Sequence, residues 1–366
     1  MKKIISLVGA RPNFIKIAPL HKVFKAFSKE VTHKICHTGQ HFDKNMSKIF
    51  FDELDLPKPD FYLGIGGGTH TEQTAGIMIE FEKVLLQEKP DLIIVPGDVN
   101  STLAGALTAA KMGIKIAHVE SGLRSFDRSM PEEINRIMTD VLADYLFVSE
   151  KSGLENLTRE GISSNKVFFV GNIMIDSLVH YLPAINASLI TKNLELSLNN
   201  YILVTFHRPN NVDNPKSLKD IINLLNTISK EKKIVFPIHP RTKGNLEKFG
   251  LLKQFAKNVL LTDPLGYVDF LALAKDAGLV ITDSGGIQEE TTFMGIQCIT
   301  VRNNTERPVT VDIGTNHLAG TDIDLVEDIA FKILNGAKKK GSIPELWDGK
   351  TAYRITEILI DKPTTF

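Results

Sequence analysis

Short β-rich apolar runs alternate with amphipathic helical segments along this chain, and the rhythm runs twice. In the first half, residues 3–8, 92–96 and 114–119 are apolar runs, each followed by a helical pattern at 14–27, 101–112 and 131–142. Strands of this kind, spaced by crossover helices, form a parallel sheet covered on both faces. Residues 145–148 and 167–170 read as further strands, with a helix from about Ile173. A polar stretch at 188–200 reads as a hinge or surface helix, after which strands are expected at 201–205, 234–238, 259–262, 279–282 and 298–301. A chain of 366 residues exceeds the ~250 at which single cores stop growing. The expected fold is therefore α/β, with two doubly wound, Rossmann-like lobes. The first is expected to span 1–175 plus 350–366, the last helix crossing back to it, and the second 176–349. Such sheets bind ligands beyond the carboxyl ends of their strands, so the two lobes are expected to face a central cleft.

Charge narrows the partners. Lys plus Arg and Asp plus Glu each number 43, so no net field draws the chain to nucleic acid or to an anionic membrane. An anionic ligand must be held by local charge. No stretch approaches the ~18 apolar residues of a membrane span. Lys2 and Lys3 precede an apolar run that soon meets Arg11, which reads as a buried strand rather than a secretion signal. Cys36 and Cys298 each lie in an apolar run without metal-ligand spacing, as in a reduced, cytoplasmic protein. Residues 64–69 resemble a dinucleotide loop, but threonine holds the place of the last glycine. No Walker loop or metal constellation is present either, so neither cofactor nor metal is expected. Lys338 to Lys340 read as a solvated helix end.

The candidate residues cluster at the ends of the expected strands. Gly9-Ala10-Arg11-Pro12-Asn13, with Lys16 one turn into the helix, offers free N–H groups and two cations to an anion. Thr282-Asp283-Ser284-Gly285-Gly286 is a second strand, glycine turn and helix start. There Ser284 is placed to cap the helix and the glycines to admit a diphosphate. Glu290 lies a turn further, at reach of ribose hydroxyls, and Arg307 adds a cation. An acidic cluster combines Asp98, Glu120, Glu132 and Glu133 with Arg136. Converging carboxylates repel, which suits some of them to proton transfer. Against that reading, Asp98 suits a helix N-cap, and Glu133 suits a first helical turn better than catalysis. His207 and His239 each follow a strand of the second lobe, where imidazole binds phosphate or moves a proton.

Together these segments resemble the non-hydrolysing UDP-N-acetylglucosamine 2-epimerases, a family of glycosyltransferase-B architecture. The resemblance runs from Gly9-Ala10-Arg11-Pro12 through Gly97-Asp98, His118-Val119-Glu120, Pro131-Glu132-Glu133-Ile134-Asn135-Arg136 and His207-Arg208. It continues to the 282–290 run and Thr305-Glu306-Arg307-Pro308. It implies that Arg11, Lys16, Asp98, Glu120, Glu132, Arg136 and His207 line the reacting centre. It implies that Phe270, Ser284, Gly285, Gly286, Glu290 and Arg307 hold UDP, and the position of His239 after its strand adds that residue to the expected UDP site. It further implies a homodimer and a regulatory substrate site that includes Gln40. The chain departs from the family at Phe206 and at Pro209-Asn210, where many members read glycine and Arg-Glu, and at Ser121, where alanine is usual.

The chemistry expected from these groups is elimination and re-addition. Asp98 or Glu120 removes the C2 proton of a UDP-N-acetylhexosamine while Arg11, Lys16, His207 and the Ser284 helix start stabilise departing UDP. A carboxylate on the other face reprotonates C2 of the 2-acetamidoglucal, and UDP adds back, with Glu132 and Arg136 orienting the sugar. Rival readings are a 2-epimerase of a 6-deoxy or diacetamido-uronic sugar, a hydrolysing epimerase, a glycosyltransferase and an inactive sugar-nucleotide sensor. Retaining transferases of this architecture often carry two glutamates seven residues apart, and neither Glu289 nor Glu290 has such a partner.

Overall fold

The computed structural model describes residues 1–39 and 56–360. The chain forms two compact units, Met1–His180 with Glu345–Phe366, and Tyr181–Pro344.

The first unit is built on strands β1 (Lys2–Val8), β2 (Val31–His37), β3 (Phe61–Tyr62), β4 (Leu92–Pro96), β5 (Lys115–Ser121), β6 (Tyr145–Val148) and β7 (Val167–Phe169). They pair in parallel in the order β3-β2-β1-β4-β5-β6-β7. A strand covered on both faces reads as a continuous apolar run, and Leu92-Ile93-Ile94-Val95-Pro96 is buried throughout. Ile5, Leu7, Ile93, Val95 and Leu146 pack on one face against Phe81 of helix His70–Glu88 and Ala104, Ala106 and Ala109 of helix Asn100–Lys111. Small residues bring the second of these helices close to the sheet. A Cβ on Gly105 would stand 2.5 Å from Leu7. Helix Arg11–Ala26 packs against helix Thr351–Leu359, which returns to this unit from the end of the described chain.

The second unit repeats the plan with β8 (Tyr201–Thr205), β9 (Lys233–Pro237), β10 (Val259–Thr262), β11 (Leu279–Thr282), β12 (Cys298–Thr300) and β13 (Asn316–Leu318). Their order is β10-β9-β8-β11-β12-β13, again parallel. Alternation along the strands supplies two cores. Ile202, Val204, Phe236 and Ile281 face one side, and Tyr201, Leu203, Val235 and Val280 the other. The stretch 188–200 carries a short helix, Ile190–Asn193, packed on helix Tyr267–Asp276 of this unit. Lys339 is not a solvated helix end: the helix stops at Leu334, and the Lys339 ammonium donates to the carbonyls of Val311 and Asn316.

Both sheets are thus α/β and doubly wound, as the alternating pattern implies. In each, the winding reverses between two adjacent strands, β1 and β4 in one unit and β8 and β11 in the other. Loops leaving the carboxyl ends there diverge, which is where such sheets hold ligands. Among the described residues no helix is long and apolar enough to cross a membrane.

Candidate active site

In the first unit the loops after β1, β4 and β5, three adjacent strands, carry the ionisable groups. Asn13 closes the turn after β1: its Oδ1 accepts from the N–H groups of Gly9 (3.1 Å) and Ala10 (3.0 Å). Its Nδ2 donates to the Pro96 carbonyl at the end of β4, 3.0 Å away. One buried amide therefore ties two strand ends together. One turn further along the helix, the buried Lys16 ammonium pairs with the Glu120 carboxylate. Glu120 adopts φ +71°, at the point where the register of β5 against β6 shifts between Val119 and Ser121. A left-handed non-glycine residue costs about 1–3 kcal/mol, and such strain gathers at functional sites. The bulge re-aims this one carboxylate. Gly97, at φ +68°, sits against the same pair, since a Cβ there would lie 2.9 Å from Lys16 Nζ and 3.6 Å from Glu120 Oε2.

Asp98 follows Gly97 directly, and its carboxylate pairs with Arg136 rather than capping a helix. The N-cap of helix Asn100–Lys111 is Val99. Helix Pro131–Leu142 organises this side of the site from its first turns. Asn135 donates to the Asp98 carbonyl at 2.9 Å, and Arg136 Nη2 donates to Glu133 Oε2 at 2.7 Å. Glu133 lies in the first turn of this helix, as its position in the sequence suggests, and makes further contacts there. Buried, it also accepts from the backbone N–H groups of Ser125 and Phe126, each at 2.9 Å. Burial pushes its pKa up, but the Ser125 bond and Arg136 outweigh that and hold it below the usual carboxylate range. Glu132, its neighbour, is half-buried in the same turn.

In the second unit β8 and β11 are hydrogen-bonded neighbours, and Asp283 at the end of β11 shapes the loop that leaves β8. Its fully buried carboxylate accepts from His207 N at 3.0 and 3.1 Å, Arg208 N at 2.8 Å and Asn211 Nδ2 at 3.1 Å. It also lies 3.0 Å from His207 Nδ1. Burial raises the Asp283 pKa, but His207 and the other donors prevail and lower it. The ionised carboxylate fixes the Nδ1–H form of His207 and turns Nε2 away as the second polar atom of the ring. The His239 ring stands 5.4 Å from that of His207. It is committed locally, capping helix Pro240–Lys248 by accepting from Arg241 N at 3.2 Å.

Helix Gly285–Met294 starts beside this loop. Ser284 occupies its N-cap position but makes no side-chain cap bond, contrary to expectation, and its own N–H donates to Thr282 Oγ1 at 3.0 Å. Gly285 leaves room for Arg307, whose Nη1 would stand 2.8 Å from a Cβ there. The Arg307 guanidinium is buried between Glu306 and Glu289, the latter at 2.8 Å, so it is not a bare cation. Glu290 is buried on the same helix with Gly286 at its start. Phe270, half-buried, packs on the Tyr201–Leu203 face of the sheet.

The structure thus brings Lys16, Glu120, Asp98 and Arg136 together around Gly97 in one unit. In the other it pairs His207 with His239 and Arg307 with Gly285. Arg11 opens its helix beside the first group, and Gln40 lies outside the described residues. Sequence reasoning gave no role to Asn13, His118, Asp140, Asp283 or Glu289. The available signal was polarity at a strand end, strongest for Asp283 between β11 and a glycine turn. Among the described residues no group of His, Cys, Asp and Glu could hold a metal ion.

A family model for UDP-N-acetylglucosamine 2-epimerase matches residues 25–360. The chain is 46% identical to the UDP-N-acetylglucosamine 2-epimerase of Methanococcus maripaludis, over 91% of this chain and 92% of that protein. It is 44% identical to the UDP-2,3-diacetamido-2,3-dideoxy-D-glucuronate 2-epimerase of Pseudomonas aeruginosa, over 98% and 99%. A crystal structure of the Methanocaldococcus jannaschii UDP-GlcNAc 2-epimerase in complex with UDP-GlcNAc and UDP superposes with a TM-score of 0.90 at 45% identity, covering 98% of this chain and 99% of that one. With two Rossmann-like sheets, acid–base groups at their carboxyl ends and similarity along nearly its whole length, this chain belongs to the UDP-N-acetylglucosamine 2-epimerase family of isomerases.

Proposed function

We propose that this epimerase interconverts UDP-N-acetylglucosamine and UDP-N-acetylmannosamine by eliminating and re-adding UDP. The observation that carries the reading is the pairing of Lys16 with Glu120 and of Arg136 with Asp98 at the ends of adjacent strands β4 and β5. Two carboxylates, each with its own cation, give one base and one acid. One takes the proton from C2, the C–H electrons form the C1–C2 double bond, and the C1–O bond breaks with its pair leaving on UDP. The resulting 2-acetamidoglucal accepts a proton at C2 from the other carboxyl group, which holds a solvent-derived proton as the neutral acid on the opposite face. A phosphate oxygen of UDP then bonds to C1, so no electrons are gained or lost and no cofactor is needed. Arg11, Lys16 and His207 meet the charge on departing UDP, and Glu132 and Arg136 orient the sugar. The nucleotide is assigned to His207, His239, Phe270, Ser284, Gly285, Gly286, Glu290 and Arg307. Breaking the Arg307 pairs with Glu306 and Glu289 would release its charge toward a diphosphate.

The test is a proton NMR time course in heavy water with UDP-N-acetylglucosamine and no added cofactor. The expected result is UDP-N-acetylmannosamine carrying deuterium at C2, with transient UDP. Product that retains the original C2 hydrogen overturns the scheme. A second substrate is favoured by the comparable identity to the Pseudomonas enzyme, and kcat/KM for the diacetamido-glucuronate, measured alongside, ranks the two. We also assign the enzyme to a homodimer in the cytoplasm. The first is supported by the exposed apolar side chains of Ile134, Met138 and Val141, which recur on one face of helix Pro131–Leu142. The second is supported by the buried free thiols of Cys36 and Cys298, the latter pushed up to about 12 by burial.

A further inference from the structure

His118 lies in β5 two residues before Glu120 and is fully buried. Its Nδ1 stands 2.6 Å from Asp140 Oδ1 and its Nε2 stands 2.8 Å from the Gly97 carbonyl oxygen. A neutral imidazole has one N–H and one bare lone pair. In either neutral form that lone pair would face the lone pairs of an oxygen at hydrogen-bond distance. Moving the proton to Asp140 Oδ1 would satisfy the ring, but it would leave a neutral carboxyl against the Arg124 guanidinium, which favours the carboxylate. The other oxygen of Asp140 lies 2.7 Å from Arg124 Nη2 and accepts from Gly122 N at 3.1 Å. Burial works against ionising Asp140, but His118 and Arg124 outweigh it and hold the carboxyl below its ordinary range. An imidazolium, donating from both nitrogens, satisfies every contact. Its charge is balanced, since Arg124 also binds Glu160 at 2.6 and 2.8 Å, giving two cations and two anions in one chain.

The atoms held by this chain are those on either side of the reacting carboxylates. Gly97, whose carbonyl takes one N–H of His118, immediately precedes Asp98. Gly122, whose N–H is held by Asp140, follows the bulge that carries Glu120. Gly97, Glu120 and Gly122 all have positive φ, at +68°, +71° and +78°. Glycine adopts that region freely, but a non-glycine residue such as Glu120 persists there only where its surroundings hold it. Gly122 also has no room to move toward helix Lys151–Arg159, since a Cβ on it would stand 2.5 Å from the Gly153 carbonyl oxygen.

We propose that His118 is a positioning residue held as a doubly protonated imidazolium, which clamps Gly97 directly and Gly122 through Asp140, and so sets the aim of Asp98 and Glu120. The inference rests on the acid–base roles assigned above to those carboxylates, but its first test does not. The full-length enzyme, labelled with 15N in its histidine rings, is examined by NMR at neutral pH. Two N–H signals from the His118 ring are expected, and a ring with one protonated and one bare nitrogen overturns the proposal. In the second test, His118→Gln, which offers one side chain too short to span both acceptors, is assayed for deuterium incorporation at C2. The expected fall in kcat is on the order of 10²-fold, the scale of a misplaced reacting group, with KM changed less than about threefold. An unchanged kcat in a folded variant overturns the proposal. Should the variant fail to fold, the ring-nitrogen spectrum of the parent enzyme decides alone. A parent enzyme with two ring N–H signals but no epimerisation would instead sink the assigned reaction.

Discussion

Glu132 and Glu133 are adjacent in sequence and meet different surroundings. Glu133 is buried against Arg136 and the Ser125–Phe126 backbone, whereas Glu132 remains half-buried. Removing one partner of a buried ion pair leaves the other charge uncompensated. Glu133→Ala is therefore expected to destabilise the fold by about 3–5 kcal/mol, read from the urea midpoint. Activity should fall with it, because Arg136 also holds Asp98. Glu120→Gln keeps the shape and removes the proton acceptor. Loss of a general acid–base group costs about 10²–10⁴-fold, so a variant retaining more than a tenth of the parent kcat would remove Glu120 from the mechanism. The types of these residues were legible in the sequence, as acids near strand ends. Their division of labour was not, since it depends on which carboxylate the loop 121–130 folds over.

Helix Arg11–Ala26 is docked on β2 and β1 through two half-buried histidines. His21 Nδ1 and His33 Nδ1 share one proton across 2.9 Å, and His33 Nε2 meets Ser6 Oγ at 2.8 Å. Burial, and then His21, push the His33 pKa down to about 3, and burial together with Lys25 lowers that of His21 against a weaker opposing pull from Asp60. A folded-state pKa below the unfolded value of 6.5 means that the folded chain binds fewer protons there. Its contribution to stability is full above pH 6.5 and is lost as pH falls toward about 3. Melting temperature should drop through that window more steeply for the parent than for His33→Gln. The comparison cancels the opposite effect of Asp176, whose carboxyl burial raises to about 6 and whose contribution is lost as pH rises from 3.8 through that value. At helix His70–Glu88, Thr69 occupies the final position of the glycine-rich run and caps the helix, accepting from Glu72 N at 3.2 Å while Glu72 accepts from Thr69 N at 2.8 Å. Thr69→Ala should cost about 1 kcal/mol in a chemical melt. The threonine that spoils the dinucleotide pattern is thus a capping-box residue.

For the molecule as a whole, the apolar stripe Ile134, Met138 and Val141 belongs to the helix whose opposite face carries Glu133 and Arg136. Large exposed apolar side chains at helical spacing mark an interface more often than a solvated face. Replacing Ile134 and Val141 together by lysine should convert the assigned dimer to monomer in sedimentation velocity. A parent enzyme that sediments as a monomer at micromolar concentration would dismiss the dimer outright. Both units share one order over six strands, the first adding β7 at its edge, and in both the ionisable groups gather where the winding reverses.

Hydrophobic periodicity and glycine turns were enough, by themselves, to specify an α/β fold with two parallel sheets and to mark the strand ends at Gly97, Glu120, His207 and Asp283. Such signals are local: a buried strand needs an apolar run, and a turn needs its glycine, wherever the neighbours lie. β2, with Thr32, His33 and Lys34 in its middle, and the two- and three-residue edge strands β3 and β13 escaped notice because their pairing, not their composition, makes them strands. The tertiary structure alone decided that Arg136, itself held by Glu133, pairs with Asp98, that Arg307 sits between two glutamates, and that His118 reaches both Gly97 and Asp140. Each of those contacts joins residues from separate elements or turns, and a linear pattern carries no term for the distance between them.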